Sequence, residues 1–433
     1  MTRPFNAPDH TGPDLEVDRQ PDRQTDQAAP PASARGPLAG LVVADLSRVL
    51  AGPYCSMLLA DLGATVIKIE SAAGDDTRTW SPPEADGVAT YYLSINRNKH
   101  SVVADYRNPD DIAMIQELFR RSDIVLENFK VGGLAKFGLD YPSASALNPA
   151  LIYLSISGFG TADGAGLPGY DLVVQAVSGL MSLTGDPEGP AYRAGISVFD
   201  VMTGMHGLIG VLAALEQRHR TGKGQHVEVN LLSSALSGLV NQTAAYTAGG
   251  VVPFRMGNEH PSVYPYLPLP AEDRDVIIAV GNDRQFRSLC EILGLTELAD
   301  DPRFALNSDR AENRAELQPL LEAELAKWSA DDLFLKLNYA GVPCGPINSI
   351  AEGVDLAERL GLHPRVSIGG DGRGAVGAAG GGPVDLIRNP IDFSEAAARY
   401  DLPPPALGEH SDAIRSWLAT PDAGIAELIG SDS

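Results

Sequence analysis

Apolar residues in the first part of the chain form short runs typical of buried strands, separated by a helical segment. Residues 41–46 and 64–70 are two such runs, and residues 54–62 between them predict a helix, with Pro53 suited to its first position. A strand, a helix and a second strand within about 30 residues predict a βαβ unit with parallel strands.

The same alternation continues toward the middle of the chain. Residues 108–111 (NPDD) indicate a helix start, after which apolar residues recur at helical spacing. Further strands are predicted at residues 101–105, 124–127, 151–157 and 225–231. This order predicts a doubly wound, Rossmann-like α/β domain, in which ligands bind at the carboxyl ends of the strands.

The chain divides into four regions by composition. Residues 1–36 are rich in Pro, Asp, Gln and Arg and predict a disordered tail, since they offer little apolar surface to bury. Residues 37–231 form the predicted large domain, and residues 232–345 predict a smaller α/β domain. Residues 346–433 follow as a C-terminal segment, in which the glycine-dense residues 369–382 predict a mobile loop.

The charge and the cysteines narrow the class of protein. With 33 basic and 56 acidic side chains the formal charge is −23, which argues against nucleic acid or an anionic membrane as partner. No apolar run of about 18 residues predicts a membrane span, and no secretory signal is expected. Cys55, Cys290 and Cys344 lack C-x-x-C spacing, so we expect neither a disulfide framework nor a cysteine zinc site. Three lone cysteines suit a reducing compartment, and we therefore expect a cytoplasmic location.

The loop after the first predicted strand argues against a dinucleotide, the best-known ligand of such a domain. Residues 47–52 read SRVLAG, without the G-x-G-x-x-G that lets a backbone approach a dinucleotide pyrophosphate. No serine elbow, phosphate-binding loop or H-E-x-x-H motif occurs either, and no metal is indicated.

Two aspartates remain as candidates for chemistry. Asp171 begins a helical run after a glycine-rich stretch, and Asp200 begins a long predicted helix. The plain alternative for each is an ordinary helix N-cap. A helix N-terminus also favours the anionic form, so we expect an ionised carboxylate at neutral pH.

Ordered motifs along most of the chain resemble the class III coenzyme A transferases, the family of formyl-CoA and carnitine CoA-transferases, with α-methylacyl-CoA racemase as a relative. The resemblance covers residues 38 to about 415. The matching segments are residues 45–54 (DLSRVLAGPY), 60–70 (ADLGATVIKIE), 96–100 (NRNKH), 127–129 (ENF), 158–160 (GFG), 169–171 (GYD), 200–204 (DVMTG), 221–225 (TGKGQ), 341–346 (GVPCGP) and 407–410 (LGEH).

The resemblance implies a nucleophile and a helper. Asp200 matches the family's nucleophilic aspartate, which forms an aspartyl-CoA thioester, and Asp171 matches a second acidic residue that assists it. A histidine base precedes this second position in the racemase branch. Here that residue is Tyr170, whose ordinary pKa of about 10 makes it a poor base, so transfer is favoured over racemisation.

CoA-binding positions follow from the same resemblance. Lys136 is implied to contact a CoA phosphate, and Asn128 and His100 lie in CoA-binding segments, although His100 replaces a more usual arginine. Leu50 stands where formyl-CoA transferase has glutamine, and residues 255–260 replace that enzyme's glycine-rich flap. These differences weigh against formyl or oxalyl specificity.

The subgroup suggests the substrates. Residues 74–83, 91–97 and 177–181 are most similar to enzymes that handle succinyl-, glutaryl- or hydroxymethylglutaryl-CoA. We therefore expect CoA transfer from succinyl-CoA to a dicarboxylate, with CoA as substrate and no permanent cofactor. An acyl-CoA racemase or isomerase, a formyl-CoA:oxalate-type transferase and a non-catalytic CoA-binding relative remain alternatives.

A dicarboxylate keeps one free carboxylate, which needs a partner when buried. An arginine matches it best, and Arg97 and Arg193 are candidates, although either could simply pair with a surface acid. The family's interlaced homodimers further imply that residues 346–433 return to the large domain.

Overall fold

The computed structural model describes residues 36–260, 262–369, 383–421, 423–425 and 428. The predicted disordered tail lies outside these residues except for Gly36, and so does the predicted mobile loop except for Gly369.

The strands fall into one large sheet, one small sheet and two short pairs. In chain order they are β1 (Val42–Asp45), β2 (Thr65–Glu70), β3 (Glu84–Ala85), β4 (Val88–Ala89), β5 (Lys99–Val103), β6 (Ile124–Glu127), β7 (Ile152–Ser157), β8 (Gln225–Asn230), β9 (Tyr266–Pro270), β10 (Asp275–Ala279), β11 (Cys344–Pro346), β12 (Arg365–Ile368) and β13 (Val384–Ile387).

The α-helices lie between and after these strands. They are α1 (Ala51–Asp61), α2 (Thr90–Ile95), α3 (Pro109–Arg121), α4 (Tyr141–Leu147), α5 (Asp171–Val177), α6 (Leu180–Leu183), α7 (Val198–Thr221), α8 (Leu231–Gly238), α9 (Val240–Thr247), α10 (Asp283–Leu293), α11 (Asn307–Glu312), α12 (Arg314–Leu325), α13 (Ala330–Tyr339), α14 (Ile350–Arg359) and α15 (Ser411–Ala419). Short 3-10 helices cover Asp76–Thr79, Ala135–Phe137 and Thr296–Ala299.

The large sheet is six-stranded and parallel, in the order β5-β2-β1-β6-β7-β8. Numbered within the sheet, this is the 3-2-1-4-5-6 order of doubly wound domains, as the sequence predicts. The order reverses between β1 and β6, so a crevice for ligands opens where their carboxyl ends diverge.

Helices cover both faces of this sheet. On one face α1 and α7 bury residues such as Cys55, Leu59 and Val211. On the other face α3 and the C-terminal helix α15 bury Phe119 and Trp417. Burial of this apolar surface is the main force that holds the layers together.

Helix α1 begins earlier than the sequence predicts. Its N-cap is Leu50 and its first residue Ala51, so Pro53 occupies the third position instead of the first. The prediction was wrong by three residues, because a proline is tolerated throughout the first turn, where backbone N–H groups have no partner within the helix.

Helix α7 is the long element of the large domain. Gly204 allows it to approach α1 closely, since a Cβ at this position would lie 2.6 Å from the carbonyl oxygen of Ala51. Among the described residues, α7 alone is long and apolar enough to cross a membrane, a property that core helices of soluble proteins share. The absence of a membrane partner stays a prediction.

A smaller α/β unit follows the large sheet. Strands β9 and β10 form an antiparallel hairpin, with β11 on the other side of β10, and helices α10, α12 and α13 pack around this small sheet. Further along the chain, Arg415 of α15 pairs with Asp111 of α3 at 2.8 Å. The domain limits at residues 231 and 345 stay predictions.

Candidate active site

Asp200 lies in the first turn of α7, and Asp171 lies at the start of α5. One carboxylate oxygen of Asp171, Oδ1, accepts hydrogen bonds from the backbone N–H groups of Phe199 (2.8 Å) and Asp200 (3.3 Å). Asp171 therefore caps α7 from a different helix and satisfies two backbone donors that have no partner within α7. Asp200 is the third residue of α7, and Ser197 is the N-cap.

Gln175 holds Asp171 in this position. Its side-chain amide donates to Oδ2 of Asp171 (2.5 Å) and to the carbonyl of Ile196 (3.1 Å). Its side-chain oxygen accepts a hydrogen bond from the N–H of Ala194 at 2.8 Å. One buried glutamine thus joins α5 to the segment that leads into α7.

The carboxylate of Asp200 is unusually basic. Burial and the negative charge of Asp171 raise its pKa from 3.8 to about 7. We expected the helix N-terminus to keep this group fully ionised, but the cost of burial and the like charge are larger effects. Near neutral pH Asp200 therefore holds its proton more readily than an ordinary aspartate.

Tyr91 is a neighbour of this pair that sequence reasoning missed. Burial raises the pKa of its phenol above the usual value. The charges of Asp200 and Asp171 raise this pKa further. Its place in the motif of residues 91–97 was the available signal.

A cavity of about 390 Å³ opens beside Asp200 at the reversal point of the large sheet. Three loops at the carboxyl ends of strands β1, β6 and β7 line it, together with a glycine-rich loop and the first residue of α8. The lining residues are Arg48–Ala51, Asp76, Asn128–Val131, Ile156–Gly160, Gly164–Tyr170, Asp200 and Leu231.

The glycine-rich loop folds back on the end of β7 because two glycines meet. A Cβ at Gly158 would lie 2.3 Å from the Cα of Gly169, so neither position has room for a side chain. This backbone contact brings residues 164–170 onto the cavity beside Asp200.

Side chains hold the loop between β1 and α1 from two sides. The amide of Asn128 donates to the carbonyl of Arg48 (2.7 Å) and accepts from its N–H (2.9 Å). The N–H of Val49 donates to Asp75 (3.3 Å), and Val49 has a φ of +70°, a strained value for a β-branched residue. The loop is thus fixed in one shape.

A buried ion pair between Lys68 and Asp75 also supports this loop. The ammonium group of Lys68 lies 2.9 Å from Asp75 and donates to the carbonyl of Ser47 (3.0 Å). Burial alone would lower the pKa of Lys68, but Asp75, Asp45 and Glu70 together raise it above its usual value. The pair is therefore charged at working pH.

The structure distributes the expected CoA-binding residues unevenly. Asn128 and Leu50 line the cavity of Asp200. Lys136 does not, and its ammonium group lies 4.6 Å from the centre of the Phe137 ring. Lys130, which no sequence motif suggests as a binding residue, lines this cavity and a neighbouring one of about 470 Å³.

His100 lies inside the protein. It is buried in β5 against His410, with ring centres 4.8 Å apart, and burial lowers its pKa to about 3. The CoA-binding roles of His100 and Lys136 stay predictions that this cavity does not support.

Neither expected arginine lines the cavity of Asp200. Arg97 donates two hydrogen bonds to Asp61, at 2.9 and 2.6 Å, and one to the carbonyl of Ile387 at 2.9 Å. It lines a different cavity of about 1090 Å³. Arg193 is exposed and contacts the carbonyl of Ala194 at 3.3 Å. Within the described residues, no cluster of side chains suits a metal ion.

Comparison with known proteins identifies the family. The model of CoA-transferase family III matches residues 38–411, a range that includes both helices of the aspartate pair and both sheets. The chain belongs to CoA-transferase family III. It is therefore an enzyme that transfers CoA, and Asp171 and Asp200 lie within the matched range.

Individual relatives of this CoA-transferase cover nearly the whole chain. Succinate–glutarate CoA-transferase of Agrobacterium fabrum is 44% identical over 89% of this chain and 96% of the relative. Acetyl-CoA:oxalate CoA-transferase of Acetobacter aceti is 38% identical over 91% and 98%. Among solved structures, a CAIB/BAIF family protein from Brucella suis, 44% identical, superposes with a TM-score of 0.79 over 88% and 99% of the two chains.

Proposed function

We propose that this CoA-transferase moves CoA from succinyl-CoA to a dicarboxylic acid such as glutarate, through a thioester on Asp200. The observation that carries the proposal is the Asp171–Asp200 pair, whose Asp200 lines a cavity at the reversal point of the sheet. The name of one relative, a succinate–glutarate CoA-transferase, contains two dicarboxylates, and the name of another, an acetyl-CoA:oxalate CoA-transferase, contains one. Both names favour a dicarboxylate as acceptor.

Four steps account for the transfer. The carboxylate of Asp200 attacks the donor thioester, which expels CoA thiolate and leaves a mixed anhydride on the enzyme. The thiolate attacks the aspartyl carbonyl, releasing the donor acid and forming the aspartyl-CoA thioester. The acceptor carboxylate attacks this thioester, expelling the thiolate and forming a second anhydride. The thiolate then attacks the acceptor's acyl carbonyl, which frees Asp200 and yields the new acyl-CoA.

Asp171 contributes to these steps in two ways. As a cap it fixes the first turn of α7, and with it the direction of the Asp200 side chain. As a like charge it makes Asp200 more basic, and a more basic carboxylate is the stronger nucleophile. The cavity keeps water away from the anhydride and the thioester, both of which would otherwise hydrolyse.

The proposed enzyme is a homodimer. Large apolar side chains are exposed on α5, α7 and the segment after α9, more than a monomer usually leaves in contact with water. They include Val173, Val177, Ile209, Val252 and Phe254. A second copy of the chain would cover them, and light scattering that reports an active monomer would contradict this. The three free cysteines suit the reducing cytoplasm in which we propose the enzyme acts.

Trapping tests the nucleophile. After incubation with succinyl-CoA, hydroxylamine should convert the thioester on Asp200 to a hydroxamate and borohydride should reduce it to an alcohol, each with release of CoA. Mass spectrometry of peptides locates the modified residue. Asp200→Asn should give no adduct, and a matched exposed variant, Asp412→Asn, should label like the wild type. An adduct on another residue would contradict the mechanism.

A panel of acids tests the substrates. Succinyl-CoA is combined with glutarate, oxalate, butyrate and acetate, and new acyl-CoA is quantified. Transfer to glutarate well above transfer to butyrate is expected. Exchange of α-protons with D₂O without transfer would point to an isomerase, and CoA binding without acylation would point to a non-catalytic relative.

A further inference from the structure

The proposed dicarboxylate specificity needs a cation near Asp200, and neither expected arginine provides it. Arg97 is nearly fully buried, and its guanidinium already donates hydrogen bonds to Asp61 and to a backbone carbonyl. A second carboxylate could replace Asp61 only by leaving that acid buried and unpaired, which is costly. Arg193 lies outside the cavity.

Arg48 lines the cavity together with Asp200, and its guanidinium is available. Its side chain is 54% exposed and pairs with Asp76, itself 52% exposed, at 3.4 Å. A long, solvated ion pair of this kind contributes little stability, so an incoming carboxylate can replace Asp76 at small cost.

The backbone that carries Arg48 is held much more firmly than its side chain. Asn128 bonds both the N–H and the carbonyl of Arg48, and neighbouring residues of the loop are bonded to Asp75 and Lys68. A fixed backbone with a guanidinium that is held only by the weak pair with Asp76 and by the face of the Phe129 ring, 5.9 Å away, is prepared to bind a ligand, because little backbone entropy is lost on binding.

Lys130 is the competing cation in this cavity. It lies where the cavity meets its neighbour of about 470 Å³, since it lines both. A lysine is a point charge, whereas the planar fork of an arginine matches the two oxygens of a carboxylate. Arg48 also belongs to the loop that leads directly into Leu50 and α1, and both Arg48 and Leu50 line the cavity that Asp200 lines.

We propose that Arg48 binds the unreacted carboxylate of the dicarboxylate substrate, exchanging Asp76 for it, and so determines the preference for dicarboxylates. This inference rests on the proposed function. The same arginine serves the donor and the acceptor in turn, because each presents its free carboxylate while its other end reacts at Asp200.

Matched donors isolate the role of Arg48. Succinyl-CoA and butyryl-CoA each carry a four-carbon acyl group, with and without the second carboxylate, and kcat/KM for each is measured with glutarate and with butyrate as acceptor. Arg48→Ala should lower kcat/KM for succinyl-CoA about 100-fold and for butyryl-CoA less than about threefold. Arg48→Lys should fall between, since it keeps the charge and loses the fork.

Three further variants sharpen the result. Asp76→Asn removes the competing acid and should lower KM for glutarate by about two- to threefold, an effect that a purely structural Arg48–Asp76 pair would not give. Lys130→Ala should lower kcat/KM for succinyl-CoA and for butyryl-CoA by the same factor. Arg120→Ala, an exposed arginine at the end of α3, should change neither. Circular dichroism checks that each variant is folded.

Two outcomes overturn the inference, and they are distinguishable. If the wild type does not distinguish succinyl-CoA from butyryl-CoA, the proposed dicarboxylate function is wrong and Arg48 has no such role. If the wild type discriminates and Arg48→Ala keeps the same ratio, the function stands and the assignment of Arg48 is wrong. Loss of the ratio in Lys130→Ala instead would assign the carboxylate to Lys130.

Discussion

The backbone N–H of Asp200 donates a hydrogen bond to the carboxylate of Asp171, 3.3 Å away. The acid that caps helix α7 is therefore also the like charge that raises the pKa of the carboxylate in its first turn. An asparagine at this position can still accept the two cap hydrogen bonds through its oxygen without carrying the charge. Its NH₂ group would then face the amide of Gln175, so that one hydrogen bond is lost with the charge.

The rate of enzyme acylation should follow the ionisation of Asp200. Only the anion attacks the thioester, so single-turnover acylation by succinyl-CoA should rise with pH, with a midpoint near 7, and level off about one unit above that midpoint. In Asp171→Asn the midpoint should move to lower pH, while the plateau rate falls because the carboxylate is less basic. Rapid-quench measurements between pH 5 and 9 test both effects. An unchanged midpoint would show that burial alone sets the pKa.

Because of this raised pKa, Asp200 lowers the free energy of unfolding at high pH. The folded-state pKa of about 7 lies above the ordinary 3.8, so between these two values the folded state keeps a proton that the unfolded state has released. The free energy of unfolding therefore falls as the pH rises from about 4 to 7 and stays at the lower value above 7. Asp200→Asn should therefore be the more stable protein at pH 8, by on the order of 2 kcal/mol, with a smaller gain at pH 5. Denaturant unfolding at both pH values measures this gain. A gain that grows toward low pH would contradict the raised pKa.

The fold and the aspartate pair could be predicted from sequence, whereas the partners of the arginines could not. Residues 64–70 form a nearly continuous apolar run, which is typical of a parallel strand, and the strand in this run is buried on both faces. Arg97 and Asp61 are 36 residues apart on different elements, so no local pattern indicates their pairing. Arg48 lies inside a recognised motif, but a loop arginine gives no sign of the direction of its side chain. Tyr91 reaches the site on a short helix that the apolar periodicity does not predict.

The contact between α1 and α7 depends on Gly204. A Cβ there would lie 2.6 Å from a backbone carbonyl of α1, so the helices would have to separate. Gly204→Ala should lower the free energy of unfolding by about 1–3 kcal/mol and reduce activity, because α7 carries Asp200. Gly353 of α14 is the matched control, since it is also helical and has nothing within 4 Å of an added Cβ. Gly353→Ala should stabilise the protein by about 0.5–1 kcal/mol through helix propensity. Equal effects in the two variants would contradict the close approach.

Lys68 connects stability to the shape of the active-site loop. It is fully buried, pairs with Asp75 and holds the carbonyl of Ser47. Lys68→Met leaves Asp75 buried without its cation, so the free energy of unfolding should fall by about 3–5 kcal/mol. The exposed Lys327, paired with Glu324, is the matched control, and Lys327→Met should change stability by less than about 0.5 kcal/mol.

The double variant Lys68→Met, Asp75→Asn separates folding from function. With both charges removed, much of the lost stability should return, since no buried charge remains unpaired. The loop that carries Arg48 would still lack one support, because the carbonyl of Ser47 loses its bond to the ammonium group of Lys68. We therefore expect kcat/KM to fall for succinyl-CoA and butyryl-CoA together, unlike the selective loss in Arg48→Ala. A stable double variant with full activity on both donors would show that the buried pair serves the fold alone.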